Sequence, residues 1–224
     1  MKLSRKHILI FALMILGSSS AVFARKDAKA RQILDAVYET YSKSAPAGDS
    51  NGGIEITFGG TTPGTLLLKG DMFVLDCGGV KSWFDGKTQW SYVEANEEVN
   101  ISCPTPEELQ TVNPYALLGM YKKGFDYEYV GKKNRNGSSC DEVVLTPESN
   151  VTSKAGNGNS NPQLKNITVL VNSKMHPVYI EIVTTQGDSQ IISVNRYSEK
   201  TNLSSKDFKF DSSKYPNAEI IDLR

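Results

Sequence analysis

The side chains that could do chemistry are few, and their spacing is poor. The chain has two histidines, and only His176 lies beyond the N-terminal leader, in SKMHPV beside a proline. A Ser-His-Asp or Cys-His nucleophile would have to be built on that one turn histidine. The three cysteines, Cys77, Cys103 and Cys140, are far apart, with no CxxC pair to suggest a redox motif or a zinc ribbon. Whether any of them form a disulfide is left open by their spacing. Glu97-Glu98 and Glu107-Glu108 are adjacent pairs of the kind that decorate a solvated edge. There is no P-loop and no GxGxxG. The residues therefore point away from an enzyme, with no catalytic, metal-ligating or cofactor-binding set.

Binding residues are better represented. Both tryptophans of the chain sit in WFDGKTQWSY, residues 83–92, on either side of an Asp-Gly turn. A two-residue loop at Asp85-Gly86 would pair Trp83 with Thr88. A four-residue loop over Asp85–Thr88 would pair Trp83 with Trp90. Either even loop puts Trp83, Trp90 and Tyr92 on one face of the sheet. They are then either core or the wall of a cavity. TLLL (65–68) and MFVL (72–75) are apolar on consecutive residues, so both faces of the sheet carry hydrophobic side chains. The surplus favours a space that takes something apolar.

The elements that must position these residues follow from periodicity. Residues 1–24 place Lys2, Arg5 and Lys6 before the apolar run Ile8–Leu16 and end in Val22-Phe23-Ala24, the pattern of a secretory signal peptide. The domain expected to remain is 25–224. Lys and Arg number 25 against 25 Asp and Glu, and three of the cations lie in the leader, so the remainder is slightly acidic. A nucleic-acid partner is not expected. DAKARQILDAVYETYSK (27–43) has Ile33, Leu34, Val37 and Tyr41 at helical spacing. Asn113-Pro114 opens a second helix carrying Leu117, Leu118 and Tyr121, stopped at Gly124. Between and after the helices the period is two, and short turns favour antiparallel pairing. The segments 54–58, 65–68, 72–76, 83–93, 99–102, 125–130, 140–147, 166–171, 177–183, 190–197 and DFKFD (207–211) predict about eleven strands in a sheet wide enough to curl.

Taken in order, the leader, the amphipathic helix, TLLLKGDMFVLD, DGKTQWSY, the NPY-opened helix, VVLTP with a loop after it, and the closing DFKFDSSKYPNAEIIDLR resemble the periplasmic outer-membrane lipoprotein carrier family, LolA, in its LolA-like branch. The resemblance implies a mainly β fold: an incompletely closed antiparallel barrel of about eleven strands with a helical lid over an apolar cavity. It implies a periplasmic monomer that takes acylated lipoproteins from an inner-membrane ATP-driven releasing complex to an outer-membrane acceptor. An envelope-stress sensor of the same fold, binding a membrane partner, is the alternative. On this reading Leu66, Leu68, Phe73, Leu75, Trp83, Trp90, Tyr92 and Ile101 line the wall. Ile33, Val37, Leu117, Leu118 and Tyr121 belong to the lid. The sequence departs from the family at Gly70, where relatives often carry an arginine that helps hold the lid closed; here Lys69 stands beside it.

Overall fold

The computed structural model describes residues 26–42, 52–105, 119–148 and 164–224. The leader, Leu117, Leu118 and the Asn113-Pro114 helix start lie outside these residues. Helix α1 (Ala28–Ser42) begins where Asp27 caps it, its carboxylate accepting hydrogen bonds from the Lys29 and Ala30 amides at 2.7 and 2.9 Å. Its Ala30, Ile33, Leu34, Val37 and Tyr41 stripe is buried, as the spacing predicts.

Among the described residues twelve strands follow. They are β1 (Gly53–Gly60), β2 (Gly64–Lys69), β3 (Met72–Cys77), β4 (Val80–Phe84), β5 (Gln89–Val93) and β6 (Glu98–Ser102), then β7 (Phe125–Arg135), β8 (Ser138–Pro147), β9 (Leu164–Val171), β10 (Pro177–Thr184), β11 (Ser189–Lys200) and β12 (Glu219–Asp222). They form one sheet in the order β12-β6-β5-β4-β3-β2-β1-β11-β10-β9-β8-β7. β12 and β7 are its two edges, so the barrel is incompletely closed. Two up-and-down meanders, β1–β6 and β7–β11, meet where β1 pairs with β11. Bulges at Thr57/Phe58 and at Tyr129/Gly131, where Gly131 takes φ 141°, bend the long strands.

Register separates two faces. On one lie Ile54, Ile56, Leu66, Leu68, Phe73 and Phe84, which join Val143, Leu145, Ile167, Val169 and the α1 stripe in one apolar cluster. The other face carries Leu67, Val74, Trp83, Trp90, Tyr92, Val99 and Ile101. It is covered by the chain itself. The connection from β11 to β12 crosses that face as a strap, with 3₁₀ turns at Ser205–Phe208 and Ser212–Lys214, and delivers β12 parallel to β6.

Two expectations are corrected here. DFKFD is not a strand: Ser205–Phe208 is a 3₁₀ turn, and the alternating Phe208 and Phe210 serve a strap with no neighbouring strand to pair with. EIID is a strand, and a parallel one, reached only by a crossover that a reading of short turns does not suggest.

Candidate functional site

The tight turn in WFDGKTQWSY is the four-residue form. Trp83 pairs directly with Trp90 and Phe84 with Gln89. Asp85 shapes the turn by accepting from the Lys87 and Thr88 amides at 3.1 and 2.9 Å, and Gly86 takes the φ of 95° that the turn requires. Both indoles and Tyr92 do share a face. It is the face away from α1. Trp83 meets Phe210 and Tyr215 edge-on at 5.6 and 5.7 Å between ring centroids, and Tyr92 lies 4.6 Å from Tyr215. Trp83, Trp90, Tyr92 and Ile101 are therefore separated from the other wall residues and sit on the strap's side of the sheet. The physical reason is the Trp83-Phe84 dipeptide: consecutive strand residues point to opposite faces, and Phe84 is the one that stacks with Phe73, at 5.5 Å.

Leu66, Leu68, Phe73 and Leu75 lie on the helix side, with Ile33, Val37 and Tyr121 in the cover above them. The sequence reading missed Phe58, Ile180, Ile182 and Val194. They share this face and are only half-buried against the edge of the cluster. Their signal was present in the alternation of IEITF, PVYIEIV and QIISV. It becomes a site only once β1 is seen to pair with β11. α1 thus seals part of an apolar face and leaves another part of it half-open.

The cover is held at several points. At the N-terminal end of α1 the Asp27 amide donates to the Tyr127 carbonyl at 3.0 Å, Lys26 pairs with Glu148 at 3.0 Å, and the Lys29 ammonium sits 3.8 Å from the Tyr129 ring centroid. Beneath it, Asp141 accepts from the Tyr129 hydroxyl at 2.9 Å and from Lys132 at 2.8 Å. Burial pushes the Asp141 carboxyl up, but these two donors and the Lys132 charge outweigh it and hold it below the usual range. In mid-helix, Asp35 accepts a 2.5 Å hydrogen bond from Tyr121, and the Lys122 ammonium lies 3.1 Å from the Tyr38 ring centroid. Burial, then Asp35, drives the Tyr121 phenol well above its ordinary value.

At the C-terminal end the Tyr41 ring lies 5.9 Å from His176 and 6.2 Å from Tyr197, and His176 lies 4.3 Å from Tyr197. The turn histidine thus has aromatic partners, which the sequence did not reveal. Burial, with Lys174 nearby, lowers its pKa. Lys69 is not part of this cover. It lies on the strap's side, and its ammonium donates to the Leu203 carbonyl at 2.5 Å. The three cysteines are free: Cys140 is buried, Cys77 half-buried and Cys103 exposed.

An incompletely closed antiparallel barrel with a helix over one of its apolar faces is the fold the resemblance implied. The family described as "Outer membrane lipoprotein carrier protein LolA" matches residues 20–151, more than half of the chain. The chain belongs to that LolA family. No curated protein sequence matches it. Among solved structures, an uncharacterized conserved protein from Thermus thermophilus is similar with a TM-score of 0.57 at 12% identity, over 87% of this chain and 99% of that one. That likeness is one of fold. A putative outer membrane lipoprotein-sorting protein domain from Vibrio parahaemolyticus aligns at a TM-score of 0.39 and 12% identity, over 80% and 97% of the two chains. The Mycobacterium tuberculosis lipoprotein LppX aligns at 0.41 and 17%, over 78% and 99%.

Proposed function

We propose that this LolA-family protein is a periplasmic carrier that holds lipoprotein acyl chains between the helix side of its sheet and α1. Residues 1–24 would direct its export, and 25–224 would form one carrier domain. It would receive cargo from an inner-membrane ATP-driven releasing complex and pass it to an outer-membrane acceptor. One observation carries the reading. Phe58, Leu75, Ile180, Ile182 and Val194 form a half-buried apolar surface continuous with the core and beside a helix held by polar contacts. The opposite apolar face is already covered by the strap, which leaves the helix side for a ligand.

The energetics fit a carrier. Exposing a chain of about fifteen methylenes costs roughly 12 kcal/mol at about 0.8 kcal/mol each. A fully packed slot would return all of this and would not release. A half-covered face returns part, and exchange of helix contacts for lipid contacts lowers the barrier to release. Hydrolysis within this protein is then unnecessary.

The test is equilibrium binding of a fluorescent fatty-acyl probe to the purified protein. Wild type is expected to bind. Leu75→Glu and Ile182→Glu should each weaken binding at least about tenfold, by setting a carboxylate in the apolar path. A folded wild-type protein that binds no acyl probe defeats the reading.

A further inference from the structure

The helix-side face changes character from one strand to the next. Along the transverse row set by register, Ile56, Leu66 and Leu75 on β1–β3 are followed by Ser82, Ser91 and Asn100 on β4–β6. In the neighbouring row Leu68, Phe73 and Phe84 lead to Gln89 and Ser102. With strands about 4.8 Å apart, the polar part is on the order of 10 Å wide. Its side chains are buried or half-buried, not solvated decoration.

The hydrogen-bond accounting leaves donors to spare. The Gln89 amide nitrogen donates to Ser91 Oγ at 3.0 Å, and the Ser82 and Ser91 hydroxyls share one hydrogen bond at 3.1 Å. Two hydroxyls bring two hydrogens and use one between them, whichever donates. Among the described residues no side chain takes the other, and none bonds the Asn100 amide. The charge on this face is equally telling. β4–β6 present no lysine or arginine on the helix side, since Lys81 pairs across from Asp76 on the strap's side. The one ionisable group they turn to the helix side is the acid Glu98. A phosphate would meet no cation there and one like charge.

We propose that this patch recognises the uncharged ester or amide carbonyls that join acyl chains to their carrier backbone, with the chains lying on β1–β3 and β9–β11. The inference rests on the acyl-carrier reading and assigns the polar end of the same ligand. The one hydroxyl hydrogen left over from the Ser82–Ser91 pair, the second Gln89 amide hydrogen and the Asn100 amide donate to carbonyl oxygens, and the absence of cations on the helix side of β4–β6 disfavours anionic head groups.

The test compares three fluorescent probes with identical chains: a diacylglycerol, its diether analogue lacking both carbonyls, and a phosphatidate. Wild type should bind the diester about tenfold tighter than the diether, and the phosphatidate more weakly than the diester. The double variant Ser91→Ala, Asn100→Leu should lose the diester preference while its diether affinity stays within about twofold. Equal affinity of wild type for diester and diether, tighter binding of phosphatidate, or a preference that survives in the double variant overturns the assignment but leaves the acyl site standing. Should the double variant not fold, the wild-type probe ratios and Ser82→Ala decide. Failure of all three probes to bind overturns both readings.

Discussion

Trp83 is 7% exposed and makes its ring contacts with Phe210 and Tyr215 of the strap. Trp83→Ala should therefore destabilise the fold by about 3–5 kcal/mol through the lost ring and the cavity it leaves. Acyl-probe affinity should stay within about twofold where the protein remains folded. Urea unfolding paired with probe titration checks both. A large loss of affinity with little loss of stability would return the indole to the ligand wall. His176 carries a different consequence. Its ring packs on Tyr41 and Tyr197, Lys174 is the nearby charge, and burial lowers its pKa from the ordinary 6.5. Between 6.5 and that lower folded value the unfolded chain binds more protons than the folded one, so stability falls as pH falls through that window. Melting temperatures measured from pH 7.5 to 5.5 should decline in the wild type. In His176→Phe they should be nearly flat. An unchanged slope in the variant would assign the effect to other groups.

The strap is the element the sequence concealed. Lys69 holds its start through the Leu203 carbonyl, Lys209 pairs with Asp85 at 3.3 Å, and Phe208 has 0% exposure. Phe208→Ala should cost about 3–5 kcal/mol and open residues 201–218 to proteolysis before the sheet unfolds. Cleavage first in β1–β3 instead would mean the strap is not a separate unit. What could be read beforehand follows from local rules. α1 was legible because its 3.6-residue stripe and its Asp27 cap are both local. The meanders were legible because their period is two and, apart from the long β8–β9 connection, their turns are short. The face of Trp83 was not legible, because parity groups Trp83 with Trp90 and Tyr92 but does not say which side the helix takes. That choice is made by Phe84 stacking on Phe73, and by a strap arriving from more than a hundred residues away. The partners of Lys69 and His176 were not legible for the same reason: Leu203, Tyr41 and Tyr197 are distant in sequence.

At the scale of the molecule the sheet is a partition. One side is covered across β3–β6 by the strap, and the other is covered by a helix tied down through Tyr127, Glu148, Asp35 with Tyr121, and His176 with Tyr197. Loading an acyl chain should therefore act on one side alone. α1 has 15 residues, about the length at which an isolated helix is marginal in water. Its amides are protected mainly because it is docked. If lipid takes over the contacts of Ile33 and Val37, as the proposed carrier role requires, docking weakens, and the α1 amides should exchange at least about tenfold faster in the loaded protein. The strap and β12 should exchange at unchanged rates, because their contacts lie across the sheet. Tryptophan emission gives an independent reading, since both indoles face the strap and should register little on loading. Hydrogen exchange followed by mass spectrometry, with and without saturating probe, checks the helix and the strap in one experiment. Unchanged exchange in α1, or a loaded state that shifts the strap and the indole emission instead, would place the ligand on the wrong side of the sheet for this account.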